Sequence, residues 1–518
     1  MNTPASFHGR YLSLVRQIEH TFRVIDWKYG DVELWPLARM DLYLDMFWQE
    51  TNSSPPPERT FPFRLGSCLA RPLINRWRSR TDLIHYRARP ERAGAVFLGD
   101  GVSLDRIDGA WQDRFGEALI AALEKQGTQT FVMQSGYLNR LPWKRRTFAA
   151  NRIEAAGWLK SQRYRFPLEL PDHAEVLLAL AKNGCSAPSL SQTALARRAR
   201  LLCGTAAEFE RLLEIIQPTL AFVVTYYAGL GPAFALACRR QGILCVDLQH
   251  CPQDGAHKAY TWFAVPPNGY KMLPAIFWNW TRRDCDNIQS WAGRLAQPWH
   301  RGFHGGHLQI RRFIEDVQAR RNASPENAIE VDARGNFQRE ILVALQPIPG
   351  NRQIWDALAA QVEESPVTWR WWIRRHPASL PRQDAEFGRL LSLRGPNIVI
   401  DGASELALPA LLGRMDVVLS LASGASAEAA MFGIPALFLS AAAQDYFAGM
   451  IARGEARIIE AGDAIKEISG LHARKTGKLA SAPWDDLNVT LVRLRTIAVD
   501  YAGLCRTQSY PGSPLLAT

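Results

Sequence analysis

Residues 416–438 read DVVLSLASGASAEAAMFGIPALF, and the architecture turns on this stretch. DVVLSL is an uninterrupted apolar run of strand length. Small residues follow, then an Ala-rich segment of helical composition, and Gly433-Ile434-Pro435 ends that helix and opens a second apolar strand, ALF. Strand, loop, helix and strand, with strands apolar on both sides, is the repeating unit of a parallel sheet covered by helices. The loop also carries a chemical implication. Ser423, Gly424 and Ser426 keep the backbone open where the helix begins, so N–H groups and the positive end of the helix dipole meet there, as a phosphate requires. Glu428, one turn on, is placed to reach a sugar or ribose hydroxyl. Taken alone, the same residues read more simply as a capped turn with an acid favouring the helix start.

The rhythm extends upstream through REILVALQP (339–347), a helix at 352–364, WRWWIRRHP (369–377) and NIVIDG (397–402). The second of these strands ends in Arg374, Arg375, His376 and Pro377. Two guanidiniums and an imidazole at a strand's carboxyl end lie where doubly wound sheets hold ligands. There they would neutralise a phosphate leaving group, with His376 offering it a proton or hydrogen bond. Gln346, at the end of REILVALQP, belongs to the same binding set.

A second block of this kind precedes the first. AGAVFLGDG (93–101), WQDRFGEALIAALEKQG (111–127) and TQTFVMQ (128–134) form one strand–helix–strand unit. EFERLLEIIQ, TLAFVVTYY, GPAFALACRRQG and ILCVDLQH continue it through residue 250. Two α/β blocks imply two Rossmann-like domains facing a cleft, with expected boundaries at 1–90 (helical extension and linker), 91–335 (N-terminal domain), 336–480 (C-terminal domain) and 481–518 (helix and tail). Residues 262–335, rich in Trp, Pro, Gly and His, read as an irregular connector at the cleft.

For a general base on the N-terminal side two segments compete. Asp100 ends the first strand, with Asp105 and Asp108 behind it. VDLQHCPQDGAHKAY (246–260) offers His250, Asp254 and His257 after another strand. The alternative for Asp100 is a turn residue, since Asp-Gly favours turns.

Composition narrows the class. The 518 residues exceed one ordinary core, and 47% hydrophobic with 21% charged residues is a globular balance. The formal charge of +11 suits a nucleotide or an anionic membrane surface, and it lacks the long basic runs of a nucleic-acid arm. Eight cysteines without a CxxC pair suit a reducing compartment. MNTPASFHGRYL has no apolar signal-peptide core, so a cytoplasmic protein, at most peripheral on the inner membrane, is expected. HRGFHGGH (300–307) and Asp284-Cys285-Asp286 invite metal readings. The first lacks a thiolate or carboxylate set and the second follows no apolar strand, so packed histidines, a helix-surface acid pair and no metal site are expected. Several tryptophans, those at 262, 278, 280, 291 and 299 among them, fall in the connector, and most are expected to be structural.

Strand-Arg-x-His-Pro followed by Ser-x-x-Ser-x-Glu-Ala and Gly-x-Pro resembles the donor domain of GT-B glycosyltransferases that build bacterial capsules and lipopolysaccharides. The similarity covers about residues 340–440. Within that group it points to Kdo-transferase-like and sialyltransferase-like enzymes, which use CMP-activated ulosonic acids. The resemblance implies that His376, Pro377, Ser423 and Ser426 grip the nucleotide phosphate and that Asp100, before Gly101, is the base. Gly-Asp-Gly supplies one acid where that group carries an acidic pair, and Glu428 fits UDP- or GDP-sugar enzymes of this fold equally well. The implied reaction is metal-independent transfer of a sugar to a hydroxyl of a glycan or lipid-linked glycan, without nucleic acid. Nucleotide-sugar 2-epimerases share the layout and are the alternative, as is a glycan-binding protein without catalysis.

Overall fold

The computed structural model describes residues 7–50, 90–107, 109–135, 142–253, 257–323, 337–346, 348, 350–376, 381–471 and 484–507. Pro377, Asp108 and Asp254 lie outside them.

The N-terminal sheet contains seven parallel strands: β1 (Ala95–Gly99), β2 (Thr130–Gln134), β3 (Thr147–Ala149), β4 (Leu220–Val224), β5 (Leu244–Leu248), β6 (Ile276–Asn279) and β7 (Arg301–His304). Their order is β7-β6-β5-β4-β1-β2-β3. The C-terminal sheet contains β8 (Arg339–Ala344), β9 (Trp369–Arg374), β10 (Ile398–Val399), β11 (Val417–Ser420), β12 (Ala436–Phe438) and β13 (Ala456–Ile458), in the order β10-β9-β8-β11-β12-β13. Both are Rossmann-like. Each reverses its order beside its first strand, between β1 and β4 and between β8 and β11, and such switch points open a crevice at the carboxyl ends. The expected α/β, two-domain GT-B layout with N-terminal helices is therefore what the chain forms. The central strands are buried along their whole length, which explains their continuous apolar runs.

The connector differs from expectation. β6 and β7 fall inside it and complete the N-terminal sheet. Trp262, Trp278, Trp280, Trp291 and Trp299 are all buried there, in structural roles as expected. The C-terminal helix (Leu487–Thr507) returns to the N-terminal domain, where Leu491, Leu494 and Tyr501 pack with Leu244 and Trp299.

The N-terminal extension supplies helices Phe7–Thr21 and Trp35–Glu50. They share a core with Tyr226, Tyr260 and Trp262 of the N-terminal domain. A fully buried ion pair, Arg39–Glu19 at 3.0 Å, anchors them. Glu19 also accepts from the backbone N–H of Phe263 and Ala264, and Arg39 donates to the Thr261 carbonyl.

Candidate active site at the interdomain cleft

The C-terminal side of the cleft is ordered by β8. Ala344 at its end pairs with Arg374 on one side and Ser420 on the other, so the cationic strand end and the serine loop share one sheet edge. They are two strand spacings apart, roughly 10 Å. Ser423 caps the helix Gly424–Met431 by accepting from the Ala425 N–H. Ser426 is buried and its hydroxyl meets that of Ser420 at 3.1 Å, so it braces the loop from beneath. Gln346 grips the loop from the side: it accepts from the Ala422 N–H (2.7 Å) and donates to the Ala422 carbonyl (3.0 Å). Gln346 and Ser426 thus shape the loop, and Ser423 and Gly424 form its partly open surface.

Arg374 donates to the carbonyls of Ala403 and Leu406, both at 2.6 Å, and its other terminal nitrogen stands 3.9 Å from Asp105 across the cleft. Burial, and then the nearby charge of Arg114, push its guanidinium down to about 10. Arg375 is held by Ser404 through its backbone and lies 3.7 Å from Asp384, while its Nε is buried with no hydrogen-bond partner. Burial lowers His376, and Arg114 and Arg374 lower it further, so the three form one electropositive group. Arg375 thus keeps one buried donor that no acid uses.

Glu428 is engaged differently from expectation. Its carboxylate binds Arg114 of the N-terminal domain through both oxygens, at 2.5 and 2.6 Å, and stands 3.5 Å from His307. Burial opposes its charge, yet Arg114 and His307 hold it down at about 2. Gln309 accepts from Arg114 and donates to Asp105, extending the contact. Glu428 is part of a latch between domains here, and no sugar hydroxyl is needed to explain it. Arg114 and Gln309 went unnoticed in the sequence.

On the N-terminal side, Asp100 follows β1. Its Oδ1 accepts from the N–H of Val102 and Ser103, and its Oδ2 from the hydroxyls of Ser103 and Thr225. That arrangement is the locked turn weighed against the base role. Thr225, after β4, has a φ of 61°, a left-handed conformation costly for a β-branched residue. Gly99 is required beneath, because a Cβ there would fall 2.1 Å from the Gln134 amide. Gln134 donates to Asp113, whose burial, aided by the Asp100 charge, pushes its carboxyl up to about 7.

His250 follows β5 directly across the cleft: a Cβ on Gly424 would lie 3.9 Å from its carbonyl oxygen. Its Nε2 meets the Tyr227 hydroxyl at 3.2 Å, and its Nδ1 is buried without a partner. Burial, only partly offset by the Asp100 charge, pushes the ring down to about 4, so it is neutral at ordinary pH. His257 accepts from the Ala259 N–H and packs against Tyr260, a structural placement.

His300 and His307 of HRGFHGGH make separate contacts. His300 bonds the Pro274 carbonyl and the Tyr270 N–H, and His307 stacks on Trp280 at 4.3 Å. Asp284 is buried, not on the surface, because the Thr281 hydroxyl and the Gln253 N–H both bind it; Asp286 is exposed. Among the described residues no group of three His, Cys, Asp or Glu could hold a metal ion, and no helix is long and apolar enough to cross a membrane.

No family model and no curated protein matches the chain. Among solved structures it is similar to a UDP-GlcNAc 2-epimerase from Neisseria meningitidis bound to UDP-GlcNAc, at 15% identity and a TM-score of 0.47, over 78% of this chain and 98% of that one. A UDP-GlcNAc 2-epimerase from Methanocaldococcus jannaschii gives 11% identity and a TM-score of 0.44, over 78% and 99%. The glycosyltransferase SnogD from Streptomyces nogalater gives 13% and 0.37, over 81% and 99%. None of these is a CMP-sugar enzyme of the Kdo- or sialyltransferase kind, and at such scores they add nothing to what topology and geometry establish.

Proposed function

We propose that the chain is a nucleotide-sugar enzyme that breaks the bond between the anomeric carbon and phosphate in the interdomain cleft, and that it transfers the sugar to a hydroxyl. One observation carries the reading. The guanidiniums of Arg374 and Arg375, with His376 beside them, share a sheet edge with the capped loop Ser420–Ser426, and a neutral imidazole, His250, stands opposite.

The chemistry follows from charge. As the C–O bond breaks, negative charge gathers on the phosphate, where Arg374, His376 and the amino end of the helix Gly424–Met431 stabilise it. Ser423 and Gly424 lie against the phosphate, and Gln346 and Ser426 hold their loop in shape. His250, oriented by the Tyr227 hydroxyl at its Nε2, supplies the neutral imidazole that takes the acceptor hydroxyl proton. Asp100 serves as an anchor for the turn and for Thr225 rather than as the base.

A second reading shares the first step: 2-epimerisation of the nucleotide sugar, which needs no acceptor. The cleft's end beside His250 is capped by the N-terminal extension, where the Tyr43 and Tyr446 hydroxyls meet at 3.2 Å, and a reaction of one substrate tolerates such a cap. Nothing at the site singles out cytosine, so the CMP-ulosonic donor expected from the motifs is one candidate beside UDP- and GDP-sugars.

Melting curves with CMP, UDP and GDP test the shared claim: at least one raises the melting temperature, and no rise with any of them sinks it. Incubation with UDP-GlcNAc in deuterated water, followed by NMR, separates the two readings. Deuterium at C2 with an inverted product assigns epimerisation. Nucleotide release that depends on an added glycan assigns transfer.

A further inference from the structure

Three parts of the chain converge beside His250. The helix Trp35–Glu50 brings Tyr43, the segment after β5 brings Lys258, and the helix Ala443–Ala452 of the C-terminal domain brings Tyr446. Lys258 is partly buried, and its ammonium stands 4.1 Å from the centre of the Tyr43 ring. Among the described residues no carboxylate pairs with it. The hydroxyls of Tyr43 and Tyr446 bond each other at 3.2 Å. One hydrogen serves that bond, so the pair keeps one hydrogen to donate elsewhere. The ring of His8 stacks on Tyr446 at 4.5 Å and fixes its direction.

A partly buried cation on an aromatic face, with no carboxylate paired to it among the described residues and a spare O–H beside it, is a costly arrangement. Burial pushes the Lys258 ammonium down to about 8, opposed by Cys251, so among the described residues its charge is poorly compensated. Its field reaches both His250 and His257. A bound oxyanion would resolve all of this: it would take the ammonium and the free O–H together, and it would sit within reach of the cleft.

We propose that Lys258, Tyr43 and Tyr446 form a subsite for a carboxylate carried by the substrate, so that the enzyme acts on an acidic sugar. The N-terminal extension thereby contributes a specificity residue, Tyr43, to a site otherwise built from the two Rossmann-like domains. This inference rests on the function proposed above. The carboxylate belongs either to the sugar of the donor or to the acceptor glycan.

The test uses the full chain and compares wild type with Lys258→Met and Tyr43→Phe by calorimetry. In the donor arm the probes are UDP-glucuronate and UDP-glucose; in the acceptor arm they are a uronic-acid oligosaccharide and its neutral counterpart. In one arm the wild type binds the acidic probe tighter by about 10- to 100-fold, as expected for hydrogen bonds to a charged group. Lys258→Met erases the preference, Tyr43→Phe reduces it, and Lys258→Arg restores part of it. UDP alone binds wild type and Lys258→Met equally, which shows that the nucleotide site and the fold persist. Equal binding of acidic and neutral probes by wild type in both arms overturns the subsite, as does a preference that survives Lys258→Met. If UDP, CMP and GDP all fail to bind wild type, the nucleotide reading fails, and the acceptor arm alone decides the subsite.

Discussion

At the switch point of the N-terminal sheet, a saturated carboxylate, Asp100, stands beside a neutral imidazole and two buried acids, Asp113 and Asp247, each pushed up to about 7 by burial. At the switch point of the C-terminal sheet, guanidiniums and a helix start surround a serine loop, and Arg374 is pushed down to about 10. The strand orders match; the electrostatics are opposite. On the function proposed above, one side holds and moves protons and the other holds an anion. The difference teaches that a repeated topology supplies two crevices and leaves their chemistry to a few residues at the strand ends.

The sharpest way to break this comparison is to injure each side and read different kinetic constants. His250→Ala should lower kcat by about 10²- to 10⁴-fold, the range for loss of a general base, and leave nucleotide affinity unchanged. The wild-type rate should be flat with rising pH once His250 is neutral, and should fall as pH drops through about 4, where the ring takes a proton. That limb should vanish in the variant. Arg374→Met should instead lower kcat/KM by about 10²- to 10³-fold and weaken UDP binding. If His250→Ala costs nucleotide affinity and Arg374→Met does not, the division of labour is wrong.

The two sides are tied by Arg114 and Glu428. Removing one partner of a buried ion pair leaves an uncompensated charge, at a cost of about 3 kcal/mol or more. Arg114→Met and Glu428→Gln should each destabilise the full chain in urea, and the double variant should recover part of the loss. Additive losses would mean that the latch couples nothing.

Much of this was legible in the sequence, and the exceptions have physical reasons. Long apolar strands such as Leu220–Val224 and Val417–Ser420 announce themselves because both faces are buried. β6 and β7 did not, since each has four residues and they include Trp, Asn, Arg and His. The placement of Arg374 and His376 at a strand end was readable because a strand end is a local feature. The latch was not, because Arg114 and Glu428 are separated by 314 residues and nothing nearby in the chain marks either as paired. Asp113 looked like part of a helix entry; it ends a strand, Ala110–Asp113, of a small hairpin whose partner is Leu104–Ile107.

A smaller effect tests the proton-holding side. Asp247 accepts from the Tyr226 N–H and the Tyr260 hydroxyl, and burial pushes its carboxyl up to about 7. Between its unfolded value, about 4, and about 7 the folded state holds a proton that the unfolded chain releases, so this group favours folding less as pH rises through that window. His250 and His300, pushed down to about 4 and about 3 by burial, act with the opposite sign. The useful quantity is therefore a difference. The melting temperature of Asp247→Asn relative to wild type should rise by several degrees from pH 5 to pH 8, and a constant difference would remove Asp247 from the set of buried protonated acids.

Thr225 offers the finest probe of the same crevice. Its left-handed backbone costs roughly 1–3 kcal/mol, tolerated because its hydroxyl ties β4 to Asp100 at 3.2 Å. Thr225→Ala keeps the strain and loses the tie; Thr225→Gly loses both. The glycine variant should therefore be the more stable of the two by about 1 kcal/mol, the opposite of the usual order for these residues outside positive φ. Both should lower turnover to a similar extent, because both free the Asp100 turn. Should alanine prove the more stable, the conformation at Thr225 is not strained in solution, and the N-terminal crevice is held by its acids alone.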